Sequence, residues 1–295
     1  EITCRDWSSD VCSSDLQSIM NEHKFKEILR TVVENQFEPP KNLTPRECLP
    51  LFYKYIGSKD AELRDELIFS VMANWIYKGI YTREQIYKIA DTLVEDEFIL
   101  NGLGLEKDDS VFIRSATALQ LWALIVTHKK RNFLPFNTIA VIYEKSLKLL
   151  KDEVDYRTYV EGAGWANSIS HTANIFLELV QLPEMKKPMI IEIMNTICDK
   201  VKQPNFLFPG DETNFLAGPI AEVMARETLL EEEVLESLNT LKIEPHYPGQ
   251  KPEEFYRSIN IRNFFRAVYF YLLDFPDKRR QRDLILLILQ ELKSE

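Results

Sequence analysis

Residues 153–182 read EVDYRTYVEGAGWANSISHTANIFLELVQL, and the change of character midway through this stretch decides the fold. The first half is polar and is broken by Gly162 and Gly164, which suits a loop feeding a helix. From Trp165 onward the pattern is helical: Ile169, Ala173, Phe176 and Val180 recur on one face. Asn167, His171 and Asn174 stand at i, i+4 and i+7 on the opposite face. Such a stripe fits the solvated side of an amphipathic helix, and equally a polar cluster facing a groove, with Glu153, Asp155 and Arg157 leading into it. Amide oxygens are weak ligands and zinc favours His, Cys or carboxylate, so neither a metal nor a cofactor is expected here.

The same helical punctuation extends in both directions. Residues 21–37 carry an amphipathic pattern ended by Pro39-Pro40. Thr44-Pro45-Arg46-Glu47 and Thr82-Arg83-Glu84-Gln85 read as capping boxes that open new helices. Ser110 to His128 is the most apolar helix of the set. Its uncharged part, Ser115 to His128, is too short for a membrane span of ~20 residues, and a buried central helix explains it better. Arg114 falls inside that apolar pattern and calls for a carboxylate partner, Asp155 or Glu153. Further helices are predicted at 137–151, 185–202, from 213, from 231, at 253–274 and at 278–293, and no strand pattern of convincing length appears.

Alternate helices begin near residues 60, 110, 164, 213 and 253, a spacing of roughly 40–54 that approaches the HEAT repeat length. The expected fold is all-α: one array of about six antiparallel helix pairs, a HEAT-like solenoid with a right-handed superhelix, over residues 17–295. In such an array one helix of each pair lines the concave side. The polar residues Arg64, Asp65, Asn74, Arg114, Asn167, His171, Asp211 and Glu212, together with Trp75, would then share a groove.

Composition narrows the function. A net charge of −10 argues against non-specific nucleic-acid binding, which needs basic surface, and only 9 glycines among 295 residues favour helix. Residues 1–16, EITCRDWSSDVCSSDL, lack an apolar period and resemble the translated read-through of a sequencing adapter, so they are read as a non-native or disordered tail. Cys48 and Cys198 both lie beside apolar residues and are expected as buried free thiols in a reducing, cytoplasmic compartment. No phosphate-binding glycine loop, G-x-S-x-G elbow or H-E-x-x-H motif is present.

The run E-x-D-x-R-x-Y at 153–159, followed by GWANSISHTAN at 164–174, resembles the signature of a bacterial family catalogued as domain of unknown function 2785. Arg64-Asp65, Arg114-Ser115, Asp211-Glu212 and the run 263–273 add to the resemblance, which spans about residues 21–295. That family is expected to show G-W-x-H-x-x-x-H with an acidic residue three positions later. The matching positions here are Trp165, Asn167, His171 and Asn174, so asparagine stands twice where the family pattern has His and an acid. The resemblance implies an all-helical bacterial protein and brings no activity with it.

Two functions fit the residues. One is a binding or scaffold module that offers a concave polar groove around residues 153–174 to an unknown protein or small molecule, with no nucleic acid and no membrane as partner. The alternative is a hydrolase-type enzyme, or a degenerate relative of one, with Asp155, Arg157, His171 and Glu212 around a pocket; Glu153 and Asp155 also have the form of an acid–base dyad. The two asparagines remove proton carriers and favour the first. A deep closed pocket around His171 would favour the second.

Overall fold

A computed structural model describes residues 20–203, 206–241 and 251–292; the adapter-like stretch 1–16 lies outside them. The described residues are mostly helical. In chain order the helices are α1 (Glu22–Glu34), α2 (Pro45–Tyr55), α3 (Phe69–Lys78), α4 (Arg83–Leu93), α5 (Asp96–Ile99), α6 (Ser110–Arg131) and α7 (Phe136–Asp152). After a two-strand hairpin, β1 (Tyr159–Val160) and β2 (Gly164–Trp165), come α8 (Ser168–Leu179), α9 (Lys187–Lys202), α10 (Glu212–Arg226), α11 (Glu231–Leu238), α12 (Pro252–Tyr271) and α13 (Arg279–Glu291). A π-helical segment, Glu62–Ile68, runs directly into α3.

Local chemistry sets several of these boundaries. Thr44 and Glu47 form a reciprocal capping box with Pro45 in the first turn of α2, and Thr82 with Gln85 repeats the device at α4. Gly79 ends α3 in the left-handed region, at φ 72°. The C-terminus of α6 is held by His128. Its Nδ1 accepts the backbone N–H groups of Phe133 and Leu134 at 3.1 and 2.9 Å, so its proton sits on Nε2, facing Glu184 Oε1 at 3.5 Å. His128 stands at the helix end and is buried. His128→Ala strands two buried amides, and chemical denaturation should show a loss of about 2–3 kcal/mol.

The helices form two rows. α3, α6, α8, α10 and α12 pack side by side in that order, and α4, α7, α9 and α11 pack in a second row against them. One contiguous apolar core runs between the rows from Phe25 to Leu292. α6 lies at its centre. By length and composition its 22 residues would cross a membrane, so length alone does not separate the two roles, but 67% of its most apolar window is buried within the fold. Cys48 and Cys198 are buried free thiols, each pushed up to about 12 chiefly by burial. Trp75, expected in the groove, is instead a core side chain, and its Nε1–H donates to the Phe37 carbonyl at 2.8 Å. A small separate cluster of Val111, Phe112, Ala163 and Ala166 seats the hairpin on the first turn of α6.

Candidate functional site

The hairpin and the segment leading into it are positioned by three arginine–carboxylate pairs. The first pairs Arg114 with Glu153, both fully buried. Arg114 Nε and Nη2 donate to the two Glu153 oxygens at 2.6 and 2.8 Å, and Nη1 reaches the Asn101 carbonyl and Ser110 Oγ at 3.1 Å each. Glu153 also accepts from Ser168 Oγ at 2.6 Å and from the Asp155 N–H at 2.9 Å. Lys200 Nζ donates to the Glu153 carbonyl at 2.8 Å. The residue just past α7 therefore ties α6, α8 and α9 together. Of the two carboxylates the sequence offered Arg114, Glu153 is the one taken.

Asp155 pairs with Arg157, whose Nε lies 2.9 and 3.0 Å and whose Nη2 lies 2.6 Å from its oxygens. Arg157 Nη2 continues to the Asp108 carbonyl at 2.8 Å, and the Asp155 hydrogen bond raises the Arg157 pKa. The third pair comes from the π-helical segment. Arg64, buried, makes two 2.7 Å bonds to Asp65 and one of 2.6 Å to the Ser58 carbonyl. Its Nη2 reaches the hairpin carbonyls of Ala163 and Trp165 at 3.0 and 3.2 Å, and its guanidinium lies 4.4 Å above the Phe112 ring. Burial raises the Asp65 carboxyl above its usual range, with Arg64 pulling the other way.

The two strands are antiparallel, with Tyr159 opposite Trp165 and Val160 opposite Gly164. Gly164 has φ 81°, and a Cβ there would stand 2.6 Å from Ala61 Cβ, so the position demands glycine twice over. Tyr159 and Trp165 remain 60% and 53% exposed, their rings edge-to-face with centroids 5.2 Å apart.

The predicted polar stripe is only partly realised. Asn167 lies at the N-cap position with φ 38° and ψ 29°, so α8 starts at Ser168, not Trp165, and Asn167 leaves the helical register of the other two. His171 is half-buried. Its Nδ1 lies 3.0 Å from Ser115 Oγ and 3.1 Å from the Ser115 carbonyl. A carbonyl only accepts, so we assign the proton to Nδ1, which leaves Nε2 an unprotonated acceptor in the neutral ring. Burial, aided by the Arg64 charge, lowers the His171 pKa to about 4. Asn174 is half-buried beside it.

This has a consequence for acid stability. His171 stays neutral in the fold while the unfolded chain takes up a proton near pH 6.5, so its contribution is complete above 6.5 and is lost as pH falls towards 4. Carboxylates also titrate there, so the test is comparative. His171→Gln should flatten the fall in melting temperature between those limits. An unchanged slope would show that His171 ionises freely in the fold.

Asp211 and Glu212 follow a loop that meets the lead-in to β1. Glu212 is buried in the first turn of α10, where its Oε2 accepts the Gly210 N–H at 3.0 Å and burial raises its pKa. A Cβ at Gly210 would lie 2.5 Å from Thr158 Cγ2, so this loop lies flush against the lead-in to β1. Asp211 is exposed and bonds to Asn214 at 3.1 Å. No hydrogen bond or ion pair links His171 to Asp155, Arg157 or Glu212 among the described residues. Nor, among them, does any group of three His, Cys, Asp or Glu side chains stand ready for a metal. Open cavities of about 690 and 570 Å³ exist elsewhere, and neither is lined by His171, Asp155 or Trp165.

Sequence reasoning gave Ser115 and Ser168 no role of their own and missed Lys200. Lys200 is buried, with Nζ also bound to Gln203 Oε1 at 2.7 Å, and burial lowers its pKa to about 8. The available signal was a lysine three residues beyond Ile197, inside the apolar stripe of 187–202.

The model of a family described as protein of unknown function (DUF2785) matches residues 99–270, more than half of the chain, and the chain belongs to that family. The matched region contains Arg114, Glu153, Asp155, Arg157, His171 and Glu212 and leaves out Arg64 and Asp65. No curated protein and no solved structure matches the chain.

Proposed function

We propose that this member of the DUF2785 family is a binding or scaffold module whose recognition surface is the hairpin side of a concave polar groove around residues 153–174. One observation carries the reading. At the centre of the site the arginines and their carboxylates are consumed in internal pairs, whereas Tyr159, Glu161 and Trp165 face solvent. General acid–base chemistry needs a proton donor or acceptor within reach of substrate. Exposed Tyr and Trp on a rigid support suit recognition instead.

The two helical rows are read as a HEAT-like solenoid, with α3, α6, α8, α10 and α12 forming its concave layer and the hairpin inserted between α7 and α8. A bacterial cytoplasmic setting completes the proposal; two buried free thiols suit a reducing compartment. The ligand is a protein or small molecule rather than nucleic acid, in keeping with the net charge of −10. The hydrolase-type alternative asks Asp155, Arg157, His171 and Glu212 to converge, and the bonding pattern favours it less.

The test is quantitative capture from an extract of the source cells, using the full chain, a Tyr159→Ala/Trp165→Ala variant and a distant control, Phe136→Ala. A ligand retained by the wild type and the control but lost from the double variant is the expected result. Identical captured sets from all three would remove the hairpin from consideration. A hydrolytic turnover abolished by His171→Gln but kept by the double variant would restore the enzyme reading.

A further inference from the structure

The charge around the hairpin points to the kind of partner. The loop 106–109 adjoins the hairpin's lead-in through the Arg157 bond to the Asp108 carbonyl, and the loop before α10 adjoins it through Gly210 and Thr158. These loops and the hairpin turn expose Glu106, Asp108, Asp109, Glu161 and Asp211. Against them stand Lys107, Lys59, which is paired with Asp109, and the partly exposed Arg157, which is paired with Asp155. Glu161 makes no hydrogen bond or ion pair among the described residues, and it lies in the turn joining the strands that carry Tyr159 and Trp165. The two rings meet edge-to-face at 72°, forming a corner with more than half of each side chain open to solvent.

We propose that this corner receives an arginine side chain from a basic segment of a partner protein. The planar guanidinium would stack on Trp165 or Tyr159 and pair with the Glu161 carboxylate. Arginine is preferred to lysine because its flat, weakly hydrated cation combines stacking with a two-point carboxylate contact. The surrounding carboxylates steer a basic chain toward the corner and repel an acidic one. The inference rests on the recognition reading above and adds the chemistry of the ligand.

The probe is a fluorescein-labelled dodecapeptide of alternating arginine and glycine, titrated into the full chain at about 0.15 M salt, where diffuse attraction is largely screened. Parallel arms use lysine or glutamate in place of arginine, and free spermine. Thermal melting of each variant establishes that the fold is intact. Saturable binding of the arginine peptide is expected, weakened about tenfold by Trp165→Ala and about threefold by Glu161→Gln, with Trp165→Phe retaining most of the affinity. The lysine peptide should bind several-fold more weakly and the glutamate peptide not at all. Absent binding, equal binding by wild type and Trp165→Ala, or binding of the glutamate peptide overturns the proposal. So does spermine binding that depends more strongly on Trp165 than the peptide does, which would reassign the corner to a free polyamine. If capture returns a neutral or acidic ligand that depends on the hairpin, recognition stands and the arginine assignment falls.

Discussion

Replacing Arg114 with methionine is expected to remove about 3–5 kcal/mol of stability, because Glu153 would then be a buried carboxylate without its counter-charge. Methionine matches the stem of arginine, so lost volume is not the main effect. The cost arises from Glu153, which keeps the Ser168 and Asp155 donors but loses both guanidinium bonds. A second change, Glu153→Leu, should regain part of the loss, since the pair's desolvation penalty disappears with it. The recovery stays incomplete because Ser168 Oγ and the Asp155 N–H then lack an acceptor. Urea denaturation of the wild type, the single variant and the double variant decides the matter. A neutral single variant would mean that Arg114 reaches water.

Gly164→Ala is the second large effect, at about 2–5 kcal/mol. Left-handed backbone costs an alanine about 1–2 kcal/mol, and forcing a methyl into packed surroundings adds about 1–3. The clash here is with Ala61 Cβ at 2.6 Å, an atom that cannot swing aside, and Arg64 Nη2 follows at 3.2 Å. Gly162 supplies a matched comparison. It has φ 77° but nothing within 4 Å of an added Cβ, so Gly162→Ala should cost only about 1 kcal/mol. Equal costs at the two positions would show that the hairpin does not press against Ala61.

Much of the helical architecture was legible because it is written in local signals. The Thr44 and Thr82 capping boxes and the apolar face of α8 each act within a turn or two of themselves. Arg114 was legible for a different reason: an ion inside an apolar helix demands a partner, and few candidates exist. What escaped was structure created by long-range contact. The strands are two residues long, too short for any alternating pattern, and exist because Arg64 and the Phe112 cluster hold them in place. The π-helical turn of 62–68 has no sequence signature of its own. Asn167 looked like a helical residue because its spacing from His171 was right, and only the backbone shows that the helix begins after it.

Arg64 holds the hairpin through the carbonyls of Ala163 and Trp165, not through any side chain of the turn. Such a clasp is blind to what the hairpin displays. Tyr159, Glu161 and Trp165 can be exchanged without surrendering the placement that Gly164 and the guanidinium enforce. Sequence change at these three positions therefore leaves the anchor of the hairpin untouched. The same independence makes the tip of the turn, Glu161 and Gly162, a natural graft point, where a foreign sequence would inherit a fixed orientation from a main-chain anchor.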